Sequence, residues 1–426
     1  MPRPVVIVSF SYAPRLNPRA FRWTAIAERL AANGHAVDVV TSWVPGAAEN
    51  ETVGGVRIHR AGWKFLERGR SGMGGAGGGS GGSATPGILG AVARRLWRGV
   101  CWPDVTANWY FPALRVAAPL LEARPDAALV SVAPSFTAVA VGHALRRRRG
   151  RLRWILDLGD PFSFLVETPP NNRLLYAGLN RRFERAAFRA ADAVSVTNRR
   201  TADRYGAEFP ESAGKITVIP PLLSAQVPPA PARAQGDALR IVYLGTLYRG
   251  LREPDFLLAL FDAARKASPG FPLELHFYGD AGACAPALER HRAESGGRVR
   301  LHGVVSRNEA LEAMRGADVL VNLGNETAFQ LPSKVVEYAA AGKPVVNIAS
   351  HHEDSSIEFF RAYPLALNLV ASGASPTGAQ AGEFAAFVAR PPAVVQPAAL
   401  EAFLRPYRIE AIAARYAALL EGGAAA

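Results

Sequence analysis

Short apolar runs alternate with amphipathic stretches along most of the chain. Val5–Val8 is a run of β-branched residues, and Arg19–Ala32 after it repeats apolar side chains at helical spacing until Asn33-Gly34 ends the pattern. Val37–Thr41 is the next apolar run, so this part of the chain predicts a strand, a helix and a second strand. The same order recurs and predicts further strands at Leu129–Val132, Trp154–Leu156, Ala193–Val196 and Thr217–Ile219.

A change in composition then interrupts this pattern. Leu222–Gln235 is rich in Pro and Ala, has no periodicity and predicts a linker, which we place at residues 223–238. Beyond it the alternation resumes. It predicts strands at Ile241–Leu244, Glu274–Tyr278, Val299–Leu301, Val319–Asn322 and Val345–Ile348, and helices at Pro254–Lys266, Glu309–Ala317 and Ser333–Ala341.

Alternating strands and helices indicate parallel sheets covered on both faces, which is an α/β architecture. A chain of 426 residues is also too long for one ordinary core. We therefore expect two Rossmann-like parallel-sheet domains, residues 1–222 and 239–395, facing each other across a cleft. A C-terminal helix over residues 396–421 is expected to pack back on the cleft or on the N-terminal domain.

Three segments of the N-terminal half depart from the pattern. Residues 69–87 are rich in glycine and predict a mobile loop. Pro86–Val100 is basic and amphipathic, which suits either a helix covering the sheet or a helix lying on an anionic membrane. Ala127–Leu145 has 19 residues without a formal charge, long enough to span a membrane, but Pro134-Ser135 divides it and favours a buried strand, a turn and a helix.

The charge balance restricts the partners of the protein. The formal net charge is +13, which suits nucleotide phosphates, an anionic membrane surface or nucleic acid. No recognised nucleic-acid motif or stacking platform accompanies the charge, so we expect no nucleic-acid partner. Cys101 and Cys284 have no metal or redox spacing, and the N-terminal apolar run is too short for a signal peptide. Both observations favour a cytoplasmic protein.

The segment LPSKVVEYAAAGKPVV, residues 331–346, carries the main chemical signal. Its helix is expected to begin near Ser333, just beyond the carboxyl end of a strand, where parallel sheets bind ligands. The free N–H groups at a helix start attract anions, and Lys334 adds a positive charge. Glu337 lies on the face of Ser333, about 6 Å along the helix, where a carboxylate suits the hydroxyls of a ribose.

A simpler interpretation of this segment is equally compatible with its spacing. In that interpretation Ser333 is an N-cap, Lys334 is solvated, and Glu337 complements the helix dipole. Spacing alone does not decide between the two.

The segment strongly resembles the nucleotide-sugar motif of family 4 glycosyltransferases, which are retaining enzymes with a GT-B fold. Their motif is a Pro-Ser/Thr-Lys-x-x-Glu-Tyr helix followed by Gly-Lys-Pro-Val-Val. Other parts of the chain resemble the family in the same order. These are residues 19–42, PDVTANW at 103–109, ILDLGDPF at 155–162, residues 244–260 and residues 301–321.

The resemblance implies an enzyme that moves a sugar from a nucleotide-diphosphate sugar to a glycan or lipid-linked acceptor, with retention, in bacterial cell-surface polysaccharide biosynthesis. It implies that Glu337 binds the ribose and that the Gly303–Val304 loop faces the base. The expected diphosphate ligands are Ser333, Lys334 and Arg249. The wider donor site includes Leu331, Pro332, Gly245, Thr246, Pro18 and Arg19.

Asp160 has two interpretations. The carboxylate contacts the acceptor or the transferred sugar across the cleft, or it caps a helix that begins after Pro161. With the first interpretation the catalytic residues are Arg249, Lys334 and Asp160, and catalysis requires closure of the two domains.

The sequence departs from the family pattern at five places. Phe329 stands where the family often has a first glutamate, and Thr246 replaces an arginine. Arg249 takes the place of a lysine, and residues 11–20 replace a glycine-rich loop. Gly159 replaces the arginine of an Asp-Leu-Arg-Asp segment. These changes concern contacts with the donor sugar more than contacts with the nucleotide.

The chain lacks an Asp-x-Asp motif, and Asp157 and Asp160 have a poor spacing for a metal. A helix start with Lys334 and Arg249 opposes the negative charge that the leaving diphosphate develops, so we expect metal independence and no cofactor. The sequence His351-His352-Glu353-Asp354 is expected to be a polar helix start rather than a metal site.

Alternatives remain for the basic run and for the function. Arg146–Arg149 is either a solvated helix end or a contact for a phosphoprenyl acceptor or a membrane. Besides a transferase, the architecture suits a sugar-nucleotide epimerase of GT-B fold. The missing first glutamate and arginine also suit a catalytically silent nucleotide-sugar-binding protein.

Overall fold

The computed structural model describes residues 2–63, 97, 99–166, 169–223, 238–250, 252–324, 328–329, 331–392 and 396–423. The glycine-rich loop at 69–87, most of Pro86–Val100 and the linker at 224–237 lie outside the described residues. The chain divides into two compact units. Unit 1 comprises Met1–Leu222 with Arg408–Ala426, and unit 2 comprises Leu223–Tyr407.

Unit 1 contains an eight-stranded sheet in the order β3-β4-β2-β1-β5-β6-β7-β8. Its strands are β1 Val5–Ser9, β2 Val37–Ser42, β3 Asn50–Val53, β4 Val56–Ala61, β5 Ala128–Ala133, β6 Trp154–Leu158, β7 Ala193–Val196 and β8 Ile216–Val218. All neighbours are parallel except β3 and β4. Its first helices are α1 Pro18–Ala32, α2 Tyr110–Glu122, α3 Phe136–Arg148, α4 Arg173–Ala190 and α5 Arg199–Glu208.

Unit 2 contains a six-stranded parallel sheet in the order β11-β10-β9-β12-β13-β14. Its strands are β9 Leu239–Leu244, β10 Leu273–Tyr278, β11 Val299–Gly303, β12 Val319–Leu323, β13 Val345–Ala349 and β14 Ala366–Val370. Its helices are α6 Asp255–Ala267, α7 Ala285–Glu294, α8 Arg307–Arg315, α9 Ser333–Ala340, α10 Ser355–Arg361, α11 Gly378–Ala389 and α12 Pro397–Leu404.

Helices cover both faces of each sheet, which explains the continuous apolar runs of the strands. In unit 1, Val6 and Val8 of β1 join one apolar cluster, and Val5 and Ile7 join the cluster on the other face. Unit 2 likewise has one cluster on each face of its sheet. The two Rossmann-like parallel-sheet domains expected from the sequence are therefore confirmed.

The uncharged stretch Ala127–Leu145 forms β5 and the first part of α3, as the strand-turn-helix interpretation predicts. Both elements are largely buried in unit 1. Within the described ranges, no helix has the length and apolar character needed to cross a bilayer.

Two features differ from the sequence predictions. The chain end is not one helix over 396–421, because α12 stops at Leu404 and a 3-10 turn at Arg405–Tyr407 separates it from α13, Ile409–Glu421. Pro406 lies in that turn and lacks the N–H that a continuing helix needs. The helix α13 belongs to unit 1. Strands β3, β4 and β14 are additional; β3 is short and mostly exposed, so it lacks a core-facing pattern.

Candidate functional site

The candidate site of unit 2 lies at the carboxyl ends of its central strands. β9 pairs with β10 on one side and with β12 on the other, so the strand order reverses between β9 and β12. Parallel sheets open a crevice at such a point, and ligands bind there. Gly245 and Thr246 follow β9, and α9 follows the loop after β12. Of the predicted donor residues, Gly245, Thr246 and those at the start of α9 therefore lie at the reversal point.

Helix α9 is held against this edge by its apolar face and by one tyrosine. Val335, Val336 and Ala339 are buried. Tyr338 donates from its hydroxyl to the Leu244 carbonyl at 3.1 Å and accepts from the Leu244 N–H at 3.2 Å. Gly342 ends the helix at φ +66°, a conformation that favours glycine. The first turn of α9 is thus fixed relative to the end of β9.

The simpler interpretation of Ser333 and Lys334 is wrong. The N-cap residue is Pro332, and Ser333 is the first residue of the helix. No side chain forms a capping hydrogen bond at this helix start. The Nζ atom of Lys334 is buried, and no hydrogen-bond partner for it lies among the described residues. It lies 5.2 Å from the centre of the Tyr243 ring. Burial, with a smaller contribution from the charge of Arg252, lowers the pKa of Lys334 from its ordinary 10.5 to about 7.

The glycine after β9 lets the backbone approach this amine. A Cβ on Gly245 would lie 3.4 Å from the Lys334 Nζ and 3.2 Å from the Tyr243 hydroxyl, and the residue has φ +147°. Gly279 supports the same loop, because a Cβ there would lie 2.2 Å from the Gly245 carbonyl oxygen. Gly279 also donates its N–H to the Gly303 carbonyl at 2.7 Å. The loops after β9, β10 and β11 are therefore tied together.

Arg252, three positions after the predicted Arg249, is an arginine whose charge acts on the buried amine. Arg249 is exposed on the turn after β9, and its charge acts on Cys284. The charge of Arg252 instead acts on Lys334, Tyr243 and Tyr338. Its nearness to a second cation explains part of the lowered pKa of Lys334. Arg252 is a site residue that the sequence analysis missed, although it stands three positions after Arg249.

Glu337 pairs with an arginine of the neighbouring helix. Its Oε1 lies 3.4 Å from a terminal guanidinium nitrogen of Arg307, and the carboxylate side chain is 15% exposed. Glu337 is the fifth residue of α9, so the helix dipole, which acts within the first turn, does not account for it. Ser306 and Glu309 form a capping box that places Arg307 at the first position of α8. We predicted that this helix begins at Glu309. The Ser306 and Glu309 spacing of a capping box in the sequence would have indicated the observed start at Arg307.

The Gly303–Val304 loop ends β11 beside a group of stacked rings. Gly303 has φ +68° and Val304 is 68% exposed. The ring of Tyr278, the last residue of β10, stacks on that of His302 with centroids 4.0 Å apart and an interplanar angle of 2°. His302 also hydrogen-bonds His276 at 3.0 Å. The place expected to face the base therefore has a flat aromatic wall.

The start of α1 in unit 1 holds the predicted residues Pro18 and Arg19. Pro18 is the first helical residue and Asn17 is the N-cap. A terminal guanidinium nitrogen of Arg19 lies 3.1 Å from the Asp157 Oδ2, and Asp157 is 1% exposed. Asp157 also accepts from the Trp23 indole at 2.7 Å, the Ser195 hydroxyl at 2.9 Å and the Tyr416 hydroxyl at 2.7 Å. This network fixes the Arg19 side chain. Because the Asp157 carboxylate already accepts these hydrogen bonds, it is poorly suited to bind a metal ion.

The Arg19 guanidinium occupies the space beside Gly159. A Cβ at position 159 would lie 1.2 Å from one of its nitrogens, so a side chain there and Arg19 exclude each other. Arg19 of α1 can therefore occupy this space only because residue 159 is a glycine. Sequence reasoning treated the two positions separately, and no local pattern connects residues so far apart in the chain.

Asp160 lies on the loop after β6. No helix begins at Pro161, and the next helix along the chain is α4 at Arg173, so the capping interpretation of Asp160 is wrong. Glu184 of α4 is 3% exposed and accepts from the N–H groups of Phe162 and Ser163, each at 3.1 Å. Burial raises the pKa of Glu184. This carboxyl fixes the loop that carries Asp160.

The Pro-Asp…Trp segment has a structural role. Asp104 accepts from the N–H of Phe136 and from the N–H of Thr137 at 3.2 Å, so it caps the start of α3 from a distant part of the chain. Trp109 donates its indole N–H to the Ala61 carbonyl at 2.9 Å. The segment therefore connects the start of α3 and the residue before α2 to the carboxyl end of β4.

Two other predictions have clear outcomes. The basic run is a helix end whose Arg147 and Arg148 are exposed, as the solvated-end interpretation predicts. Arg146 differs, because its Nε donates to the Ala190 carbonyl at 3.1 Å and a guanidinium nitrogen lies 3.5 Å from Asp192. The polar sequence at 351–354 is a helix start, as predicted, with Asp354 accepting from the Ser356 N–H at 2.8 Å.

Two family models match the chain. One is described as glycosyl transferases group 1 and matches residues 238–356; the other is a glycosyl transferase 4-like domain and matches residues 20–221. Together they account for most of the chain and correspond to parts of units 2 and 1. No curated protein matches the sequence.

Solved structures show the same fold at low identity. An α,α-trehalose-phosphate synthase (UDP-forming) from Burkholderia vietnamiensis is 15% identical with a TM-score of 0.61, covering 100% of this chain and 98% of its own. The lipopolysaccharide outer core galactosyltransferase WaaB is 11% identical with a TM-score of 0.55, covering 98% and 99%. WaaG, a glycosyltransferase involved in lipopolysaccharide biosynthesis, is 13% identical with a TM-score of 0.52, covering 98% and 100%.

Proposed function

The chain belongs to the family 4-like glycosyltransferases and has their GT-B fold. From this premise we propose that unit 2 binds the nucleotide-diphosphate part of a sugar donor at the start of α9. The observation that carries this proposal is the Nζ of Lys334, which is buried beside Gly245 and has no hydrogen-bond partner among the described residues. A buried amine without a hydrogen-bond acceptor is unfavourable unless a ligand completes it. A diphosphate oxygen is such a ligand, and the N–H groups of the first turn of α9 add to the site.

The remaining donor contacts follow from the positions around this amine. Glu337 offers its carboxylate to the ribose hydroxyls, and Arg307 orients that carboxylate. The loop at Gly303–Val304, beside the Tyr278 ring, faces the base. Ser333, Pro332, Leu331 and Thr246 border the diphosphate.

The leaving diphosphate gains negative charge as the glycosidic bond breaks. Lys334, Arg252 and Arg249 supply positive charge on the same side of the sheet, and preorganised charges of this kind stabilise a developing anion. We therefore propose that transfer is metal-independent. Retention of the anomeric configuration is proposed from the resemblance to the family alone. A chelator should leave the rate unchanged, and the anomeric configuration of the product is measurable by NMR.

We place the acceptor on unit 1, at the carboxyl edge that carries Arg19 and Asp160. Because Arg19 pairs with Asp157 there, we assign it to the acceptor side rather than to the donor site that the resemblance implied. We propose a glycan or lipid-linked acceptor in bacterial cell-surface polysaccharide biosynthesis, at the inner face of the membrane. Two of the similar structures act in lipopolysaccharide biosynthesis by their names, which supports this pathway class.

The test is a calorimetric titration of the full chain with the diphosphates of uridine, adenosine, guanosine, cytidine and thymidine. At least one should bind, and Lys334→Met should lower its affinity by about a hundredfold. Lys343→Met is the matched control, since Lys343 is also partly buried and its pKa is also lowered by burial. Equal binding by wild type and Lys334→Met would contradict the proposed site.

A further inference from the structure

Large apolar side chains exposed to solvent are concentrated in unit 1. Among the described residues only Tyr248 and Val304 have this character in unit 2, whereas eleven belong to unit 1. Several of these cluster at the start of α4. We call this cluster the α4 patch and define it as Val100, Val166, Leu174, Leu175 and Leu179. Their exposures are 61%, 61%, 98%, 62% and 44%.

Hydrogen bonds hold the patch together. The Tyr176 hydroxyl donates to the Val100 carbonyl at 2.7 Å, and the Asn172 side chain donates to the Gly99 carbonyl at 3.4 Å. Arg173 donates to the Leu165 carbonyl at 3.5 Å. Two loop segments therefore lie against the first turns of α4, and their valines add to the surface of the helix.

The leucines are not part of the core of unit 1. Leu174 and Leu175 occupy the first turn of α4, and Leu179 lies four positions after Leu175 on the same face. The helix is anchored by its other face, where Asn180, Glu184, Ala187 and Phe188 are buried. A leucine that is 98% exposed contributes almost nothing to folding. A group of large exposed apolar side chains of this kind marks an interaction site.

The charges around the patch indicate its partner. Helix α4 carries arginines at 173, 181, 182, 185 and 189, and its single carboxylate, Glu184, is buried. Arg181 pairs with Glu208, and Arg185 and Arg189 pair with Glu211, whereas no carboxylate of the described residues pairs with Arg173 or Arg182. Leucines beside arginines suit the boundary between the headgroups and acyl chains of an anionic bilayer. A second copy of the chain would bring the same arginines against each other, which disfavours self-association through this face.

We propose that the α4 patch docks unit 1 on an anionic lipid bilayer, with Leu174 and Leu175 inserted among the lipids. Asp160 follows β6 and α4 is the next helix described after it, so we propose that docking brings the bilayer near the edge where we place the acceptor. The inference rests on the proposed function only in naming a lipid-linked acceptor. Binding to lipid is independent of nucleotide binding.

The experiment is sedimentation of the full chain with phosphatidylcholine vesicles, with or without phosphatidylglycerol. Wild type should bind the anionic vesicles and bind neutral vesicles more weakly. The double variant Leu174→Gln, Leu175→Gln should lower the partition coefficient by roughly tenfold or more, because two inserted apolar side chains are lost. Both sites are exposed and glutamine suits a helix, so the melting temperature should not change.

Val53→Gln is the matched control, because Val53 is 49% exposed on β3, outside the patch, and should leave vesicle binding unchanged. Arg182→Gln should weaken binding to anionic vesicles only. The inference is overturned if wild type ignores anionic vesicles at low salt or if the double variant binds as wild type does. It is also overturned if the double variant abolishes a dimer seen by analytical ultracentrifugation. Nucleoside diphosphate titration without vesicles tests the proposed function separately, and the double variant should retain it.

Discussion

The two units present different chemistry at the carboxyl edges of their sheets. In unit 2 the edge is built from glycines at positive φ, a buried lysine and a helix start, which together suit a small anion. In unit 1 the edge has the Arg19–Asp157 network and the exposed apolar side chains of the α4 patch. A nucleoside diphosphate imposes similar demands on any site that binds it, whereas acceptors differ. With the proposed function, the contrast is between unit 2, which binds the donor, and unit 1, which binds the acceptor.

The largest effect expected from this contrast is that of Lys334→Met. Without the ammonium, affinity for the nucleoside diphosphate should fall by about a hundredfold, because a desolvated charge-assisted contact is lost. The free energy of unfolding of the unliganded protein should rise by about 1 kcal/mol, because a buried group without a partner is replaced by an apolar one. Calorimetry and urea denaturation measure the two quantities. A simultaneous loss of binding and of stability would instead indicate a structural lysine.

Glu337→Ala should have the next largest effect. We expect kcat/KM to fall by roughly ten- to a hundredfold, because the ribose hydroxyls lose a charged acceptor. Wild type should prefer a ribonucleoside diphosphate to its 2′,3′-dideoxy analogue, and the variant should bind both alike. The comparison of the two ligands by calorimetry is decisive. If the variant kept the preference, another residue would hold the ribose and Glu337 would serve only its pair with Arg307.

The secondary structure of both units was largely predictable from the sequence, whereas contacts between distant residues were not. All the strands that the apolar runs predict are present, and the start of α9 is at Ser333 as predicted. Local patterns report such features because they arise from neighbouring residues. The buried state of Lys334 was not predictable, because it depends on Tyr243 and Gly245 from another strand end. The same applies to Arg19 and Gly159, whose relation is a contact between distant parts of the chain.

Gly159→Ala tests the acceptor unit. The added Cβ overlaps the Arg19 guanidinium, so the arginine must leave its place beside Asp157. Loss of this pair should destabilise the protein by about 1–3 kcal/mol and lower the transfer rate, because Asp157 keeps a buried charge with one partner fewer. Nucleoside diphosphate affinity measured by calorimetry should stay within about twofold of wild type, since unit 2 is unchanged.

Arg19→Ala combined with Gly159→Ala separates the steric effect from the loss of the cation. The double variant should recover part of the stability that Gly159→Ala loses, because the overlap is relieved, but it should not recover transfer. If the single Gly159→Ala variant were as stable and as active as wild type, the Arg19 side chain would have an alternative position that supports stability and transfer equally well.

The smallest effect is a pH dependence confined to the donor unit. The pKa of Lys334 is about 7 in the unliganded protein, because burial disfavours the charged amine. A bound diphosphate favours the charged form and raises that pKa, so binding takes up a proton above pH 7. Affinity should therefore decrease as pH rises above 7, by at most about tenfold per pH unit. Calorimetry in buffers with different ionisation enthalpies measures the affinity and the proton uptake together.

The stability of the unliganded protein should change in the opposite direction. Between pH 7 and the ordinary lysine pKa of 10.5, the unfolded chain holds a proton at Lys334 that the folded protein has released. The unfolded state therefore binds more protons, and this group makes the free energy of unfolding rise with pH across that interval. Lys334→Met should remove both dependences, whereas Gly159→Ala in unit 1 should leave them in place. Equal pH slopes in wild type and Lys334→Met would show that another group titrates, and the buried amine would then not be what distinguishes the donor edge.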